Sequence, residues 1–393
     1  MITNILLTDM KHYFLLFILL LVIITIEGCT EELHPETNGT NSPVLNEGEL
    51  TKAVLDLSVN TFAVEAQAET RASIPSNIPE NETSEEKEVH NIWVFQYDAV
   101  TKELLIKPRY YTITDQIMLQ DLPVYLKAGI PSFVYVVTNT GYDNWANDDT
   151  DTSWQKFKNL EQLKKQTLPT AFPLRSIDKV SIPMVGASEE VEVTTGITVT
   201  VPVTRMYAKL KVKVEMLKAE MKLNNVNVRQ IPNICRIETF AGDGNGEPMN
   251  AVPFPDGTTF SSIAFAASDL EKSEDKEWAV FYVPENLQGE IENQGGNKSD
   301  AAPTNALVVD VTAEIGGEKY LYAAYPGGNS LNNFNIQRNQ VYRMTLTITG
   351  EKGQNNPSSN CFVVKPNGFL SFEPYYRVET GGGYNFADYL SPH

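Results

Sequence analysis

From Val191 to Met216 apolar and polar residues alternate almost without a break, and this stretch constrains the fold more than any other. Val191 and Val193 alternate, Gly196 turns the chain, and Ile197, Val199, Val201 and Val203 alternate with Thr198, Thr200, Pro202 and Thr204. Leu210, Val212, Val214 and Met216 then alternate with Lys209, Lys211, Lys213 and Glu215. A side-chain period of two belongs to half-buried β-strands. On this pattern the three lysines line a solvated sheet face, a reading that suits an acidic chain better than an anion site.

Other strands announce themselves as continuous apolar runs. Val89–Tyr97 and Ser132–Val137 are apolar on both faces, as central strands of a sandwich are. Further strands are expected around Leu104–Ile106, Val226–Arg229, Trp278–Val283, Leu307–Ala313, Tyr320–Tyr325 and Tyr342–Ile348, separated by loops rich in Gly, Asn, Asp and Pro. One helix is expected, where Trp154, Phe157, Leu160 and Leu163 recur at helical spacing and Ser153 or Asp151 caps the start. Many short strands and one short helix make an all-β chain, and 393 residues suffice for two domains. The boundary is placed near Pro202: residues 50–201 form one β-sandwich and 202–359 the other.

The N-terminus reads as an export signal. Met10-Lys11-His12, the better start, precedes the apolar run Tyr13–Ile26 and then Gly28-Cys29. A basic start, a short apolar run and a small residue before cysteine mark residues 1–28 as a lipoprotein signal peptide, with Cys29 the lipidated residue; the alternative is an ordinary secretory signal. Several acyl chains on Cys29 would anchor the precursor stably in a membrane. Residues 29–49 read as a polar tether.

Leu55, Leu57 and Val59 then alternate with Asp56, Ser58 and Asn60, and Phe62 and Val64 extend the apolar set. The strand runs into small polar residues and ends at Arg71-Ala72, where Arg71 is the only basic residue between Lys52 and Lys87.

Other chemistry is sparse. The net charge of −19 excludes nucleic acid as a partner. Of four histidines only His90 falls in expected folded sequence, and the chain lacks HExxH, CxxC, GxSxG and phosphate-loop patterns. Asp243–Glu247 is only a fragment of a calcium loop. No cofactor, metal or catalytic residue is assigned, and the chain reads as non-enzymatic. Cys235 and Cys361 either pair as a disulfide or stay separate thiols.

Several stretches in order resemble the fimbrillin family, the subunits of type V pili: the lipoprotein signal followed by a strand and an arginine, KEVHNIWVFQYD, FVYVVTNTG, VPVTRMYAKLKVKVEM, FYVPEN and QRNQVYRMTLTITG. In the last, Gln340 stands where the family usually has histidine. The resemblance implies two transthyretin-like Greek-key β-sandwiches with one short helix in the first. It also implies export to the outer membrane and cell surface, cleavage by an arginine-specific protease after Arg71, and loss of the first strand (residues 53–71). The groove so opened accepts the strand of a neighbouring subunit, building a head-to-tail fimbrium that adheres to a host or bacterial receptor. Burying about five apolar side chains in such a groove would contribute on the order of 10 kcal/mol at ~2 kcal/mol each. The tail, residues 360–393, departs from an alternating donor strand through Pro366 and Gly381–Gly383 and resembles accessory or tip proteins of the family. A tip or anchor subunit, or a surface lipoprotein that binds glycan or protein without polymerising, are the alternatives.

Overall fold

The computed structural model describes residues 50–62, 82–113, 120–141, 153–169, 174–178, 181–216, 219–238, 250–273, 276–292, 298–328 and 332–348. The first part of this chain contains β1 (Leu50–Val59), β2 (Asn91–Asp98), β3 (Arg109–Thr112), β4 (Leu122–Lys127), β5 (Pro131–Thr138), α1 (Leu160–Lys164), β6 (Thr167–Pro169), β7 (Leu174–Arg175), β8 (Met184–Ala187), β9 (Val191–Glu192) and β10 (Thr198–Arg205). The second part contains β11 (Tyr207–Met216), β12 (Met221–Pro232), β13 (Ile234–Arg236), β14 (Phe260–Ala266), α2 (Ala267–Leu270), β15 (Ala279–Pro284), β16 (Val308–Ile315), β17 (Glu318–Ala324) and β18 (Val341–Ile348).

The protein is all-β. In the first sheet the order is β3-β2-β5-β8-β10-β1-β4, with β9 also on β5. Alternate residues of these strands enclose one aliphatic core: Leu55 and Leu57 from β1, Val94 from β2, Val124 and Leu126 from β4, Val136 from β5, and Val199, Val201 and Val203 from β10. The two ends of the sheet meet through polar groups. Buried Gln96 of β2 donates to Lys127 O (2.9 Å) and accepts from Lys127 N (2.7 Å) of β4, and Tyr125 N donates to the Tyr111 hydroxyl of β3 (3.2 Å). The amide of Gln96 thus supplies backbone partners that β4 lacks on its open side.

Two further sheets, ordered β18-β11-β15-β7 and β14-β12-β16-β17, face each other across a second core. Leu210, Phe281 and Met344 on one side meet Val226, Phe265 and Val311 on the other, which is sheet-on-sheet packing of alternating inward residues. A third, more aromatic cluster contains Trp93, Phe95, Phe157, Leu163, Cys235, Tyr282 and Val341, drawn from both parts of the chain.

Three local expectations are corrected. Leu104 makes an isolated bridge to Tyr97 in place of the strand expected over Leu104–Ile106, and the strands that pair with β2 are β3 and β5. The expected single helix over 154–163 is a 3-10 turn, Ser153–Phe157, followed by α1. The break has a cause in hydrogen bonding: Lys158 O accepts from Leu104 N (2.8 Å) and Leu160 N donates to Lys102 O (2.9 Å). The chain there runs as a bridge to residues 102–104, and Asn159 caps α1 by accepting from Gln162 N (2.9 Å). Of the positions that suggested a helix, Phe157 and Leu163 are fully buried and Leu160 packs against the same aromatic cluster. A second short helix, α2, stands beside β14 in the other sandwich.

Candidate functional site

β1 is an interior strand. It pairs in parallel with β10, Leu55 opposite Val199 and Leu57 opposite Val201, and antiparallel with β4, Val54 opposite Pro123 and Leu55 opposite Leu122. Its alternation puts Thr51, Ala53, Leu55 and Leu57 into the core, while Lys52 and Ser58 face solvent. Val59 is half-buried. Leu55, Leu57 and Phe62 together account for about 6 kcal/mol of burial at ~2 kcal/mol each, an upper figure because an unfolded chain already buries part of its surface.

Beyond Val59 the strand's periodicity ends, but its foot is held by side chains from three separate segments. Asn60 N donates to Val203 O (2.9 Å), and Asn60 Nδ2 to Thr204 Oγ1 (2.8 Å). Arg205 Nη1 donates to Asn60 O (2.7 Å), and Asn339 Nδ2 to Thr61 O (2.8 Å). Phe62 N donates to Glu82 Oε1 (2.6 Å). The Phe62 ring, 4 % exposed, lies with its centroid 4.1 Å from the Arg205 guanidinium and 5.7 Å from Lys209 Nζ. It belongs to the aromatic cluster shared by the two sandwiches, whereas Leu55 and Leu57 belong to the aliphatic core of the first.

The charges beneath Phe62 are buried. Arg205 is 0 % exposed and also donates from Nε to Glu86 O (2.9 Å) and from Nη1 to Asn339 Oδ1 (3.2 Å). Lys209 Nζ pairs with Glu86 Oε1 at 2.7 Å, and the Tyr282 hydroxyl donates to the same oxygen. Glu82 bridges Arg205 (3.4 Å) and Lys87 (2.9 Å). Burial opposes ionisation of Glu82, but the hydrogen bonds from Lys87 and Phe62 N and the charge of Arg205 outweigh it, so its carboxyl stays below the usual range. Burial pushes the Arg205 guanidinium down, with Glu82 and Glu86 acting against the shift.

Lys209 corrects the expectation of a solvated lysine face on β11. Its ammonium is buried against Glu86 of the segment that precedes β2. Lys213 fits the expected exposed pattern, pairing with Glu277 at 2.9 Å. Sequence reading missed Arg205, Glu82 and Glu86. No local signal marked them: Arg205 ends β10, and Glu82–Glu86 sit in a polar stretch that looks like linker.

Of the residues singled out from sequence, the structure brings Leu55, Leu57, Val59 and Phe62 into one strand and its foot. Cys29, Val64, Arg71, Ala72 and Cys361 lie outside the described residues, as do the signal, the tether, Asp243–Glu247 and the tail. Cys235 is a buried free thiol in β13, and desolvation pushes its pKa up to about 12.

Comparison with known proteins gives a family model described as a domain of unknown function, DUF4906, matching residues 281–346. No curated protein matches the chain. Among solved structures, it is similar to the tip fimbrial protein Mfa3 from Porphyromonas gingivalis with C-terminal truncation. The identity is 12%, the TM-score 0.45, and the match covers 75% of this chain and 94% of that one. It is also similar to a candidate cell adhesion protein from Parabacteroides distasonis, with 13% identity, TM-score 0.46, and 82% and 94% of the two chains covered. A third similarity is to a fimbrial assembly protein from the same organism, with 14% identity, TM-score 0.42, and 76% and 91% covered.

Proposed function

We propose that this chain is a non-enzymatic subunit of a type V fimbrium, exported as a lipoprotein on Cys29, cleaved after Arg71 and assembled by strand exchange. The observation that carries this reading is the place of β1. It is an apolar strand seated between β10 and β4, and it is joined to the remaining chain by residues 63–81, which contain Arg71. Cutting that connection leaves β1 held only by non-covalent contacts. Its departure would expose the unpaired edges of β10 and β4 and the faces of Val124, Leu126, Val199 and Val201. An open edge over an apolar trough is a template for another strand. A contact of that kind, repeated head to tail, does not close on itself and extends into a filament. The protease, neighbouring subunits and the outer membrane of the precursor are the partners this reading requires.

The order of the sequence motifs supports the same reading, because the strand, the arginine and the sandwich strands follow one another as they do in fimbrillins. A tip or accessory position is the second reading, favoured by the tail: Pro366 and Gly381–Gly383 interrupt the alternation that a donated strand needs. The test is mass spectrometry of the protein recovered from sheared surface filaments, together with gels run without heating. A mature chain beginning at Ala72 and a ladder of heat-sensitive oligomers are expected. A chain that still begins at lipidated Cys29, recovered only as monomer, refutes processing and assembly.

A further inference from the structure

Resting on that strand-exchange reading, we infer that the groove ends in an aromatic socket. The segment of another subunit that replaces β1 is recognised there by an aromatic side chain at the position of Phe62, five residues beyond the last fully inward leucine, Leu57.

The contacts at the foot of β1 fall into two kinds. Asn60 O, Thr61 O and Phe62 N are gripped through the backbone by Arg205, Asn339 and Glu82. Those contacts read an extended chain of any sequence. The Phe62 ring is different, because only its π-face meets Arg205 at 4.1 Å and Lys209 at 5.7 Å. Two buried cations beside one ring favour an aromatic occupant over an aliphatic one of equal volume.

Arg205 carries a second mark of a site. Its Nη2 is buried with no hydrogen-bond partner, while Nε and Nη1 are both satisfied. A guanidinium with an unmet donor in a dry pocket is stabilised where a ring covers it, and loses that cover when Phe62 departs. Arg205, Lys209, Asn339 and Glu82 all lie downstream of Arg71, so the socket stays with the processed chain. The direction also fits. β1 runs parallel to β10, so a strand entering in the same sense brings its C-terminal end to Arg205. Val59, between Leu57 and the socket, is only half-buried and discriminates less.

The occupant is therefore an extended segment with aliphatic residues at alternate positions over the Leu55–Leu57 stretch and a Phe, Tyr or Trp five residues after the second. The test uses the full-length protein nicked at Arg71 with an arginine-specific protease, the cut being verified by mass. Fluorescent peptides of residues 50–64 are added in excess, and release of the native fragment and uptake of the label are followed together. The wild-type peptide and F62W enter at similar levels, and F62A loses ~10-fold or more in apparent affinity, from lost burial and lost cation–π contact. F62L falls between them.

Equal uptake of F62A and wild type overturns the socket while leaving strand exchange intact. Tighter uptake of F62D overturns it in favour of an anion site. A peptide carrying L55D serves as the groove control. If wild-type and L55D peptides are both refused and the native fragment never leaves, strand exchange itself fails, and the socket with it.

Discussion

Arg205 and Glu86 form the hinge of a small buried circuit in which each charge is placed by residues far away in sequence. Arg205 donates to Glu86 O and Asn60 O, and Glu86 accepts from Lys209 and Tyr282. Removing one member of such a circuit leaves the others desolvated and unpaired. Arg205→Ala is accordingly expected to lower unfolding free energy by about 3–5 kcal/mol, read from urea denaturation. Glu82 makes a pH-dependent contribution of known sign. Its folded pKa lies below the unfolded value, so the stability it adds is complete above the ordinary carboxylate value of 4.5 and is lost as pH falls through the lowered one. The stability gap between wild type and Glu82→Gln is expected to be widest near neutrality and to close in acid; a gap unchanged at pH 3 would contradict it. At Cys235, desolvation pushes the thiol up to about 12. Alkylation at pH 8 should therefore spare it in the native protein and label it on unfolding without reductant, and no labelling in either state would instead mean a disulfide with Cys361. None of this circuit was legible in sequence. Alternation identified Lys209 as an outward residue of β11, and the face does point away from the second core. What alternation cannot report is a different segment lying over that face.

At the scale of elements, the strands were the legible part. Period-two patterning placed β10 and β11, and continuous apolar runs placed β2 and β5, close to their observed bounds, because each buries one or both faces and so leaves a mark on its own sequence; β15, β16 and β18 also fall near the expected strands. The helix was misread because Phe157 and Leu163 bury their side chains whether the backbone between them is helical or broken. The break is set by hydrogen bonds to residues 102–104, which leave no trace in spacing. Asn159→Ala removes the observed cap and is expected to cost about 1 kcal/mol, read from urea denaturation. Gly186 supplies a sharper test. A Cβ placed there would stand 1.9 Å from Pro202 O, where β8 meets β10. Gly186→Ala must therefore push β10 away from β8 and disturb the strand on which β1 sits. A drop in thermal midpoint together with faster cutting at Arg71 is expected, and an unchanged midpoint would mean that the sheet yields without strain.

Across the whole molecule, β1 touches little that is near it in the chain. Its parallel partner β10 begins at Thr198, and the hydrogen bonds Thr51–Thr195 and Asn60–Thr204 each span 144 residues. Closing so long a loop costs chain entropy before any contact offsets it, so such pairings form late. The first of the described strands to leave the ribosome is thus the last of its sheet to be able to dock, since β4 and β10 must exist before the slot between them does. Its position in the chain makes β1 a natural late arrival in folding. A strand added last to an already formed sheet is also one that can be exchanged with the least disturbance to what was built before it.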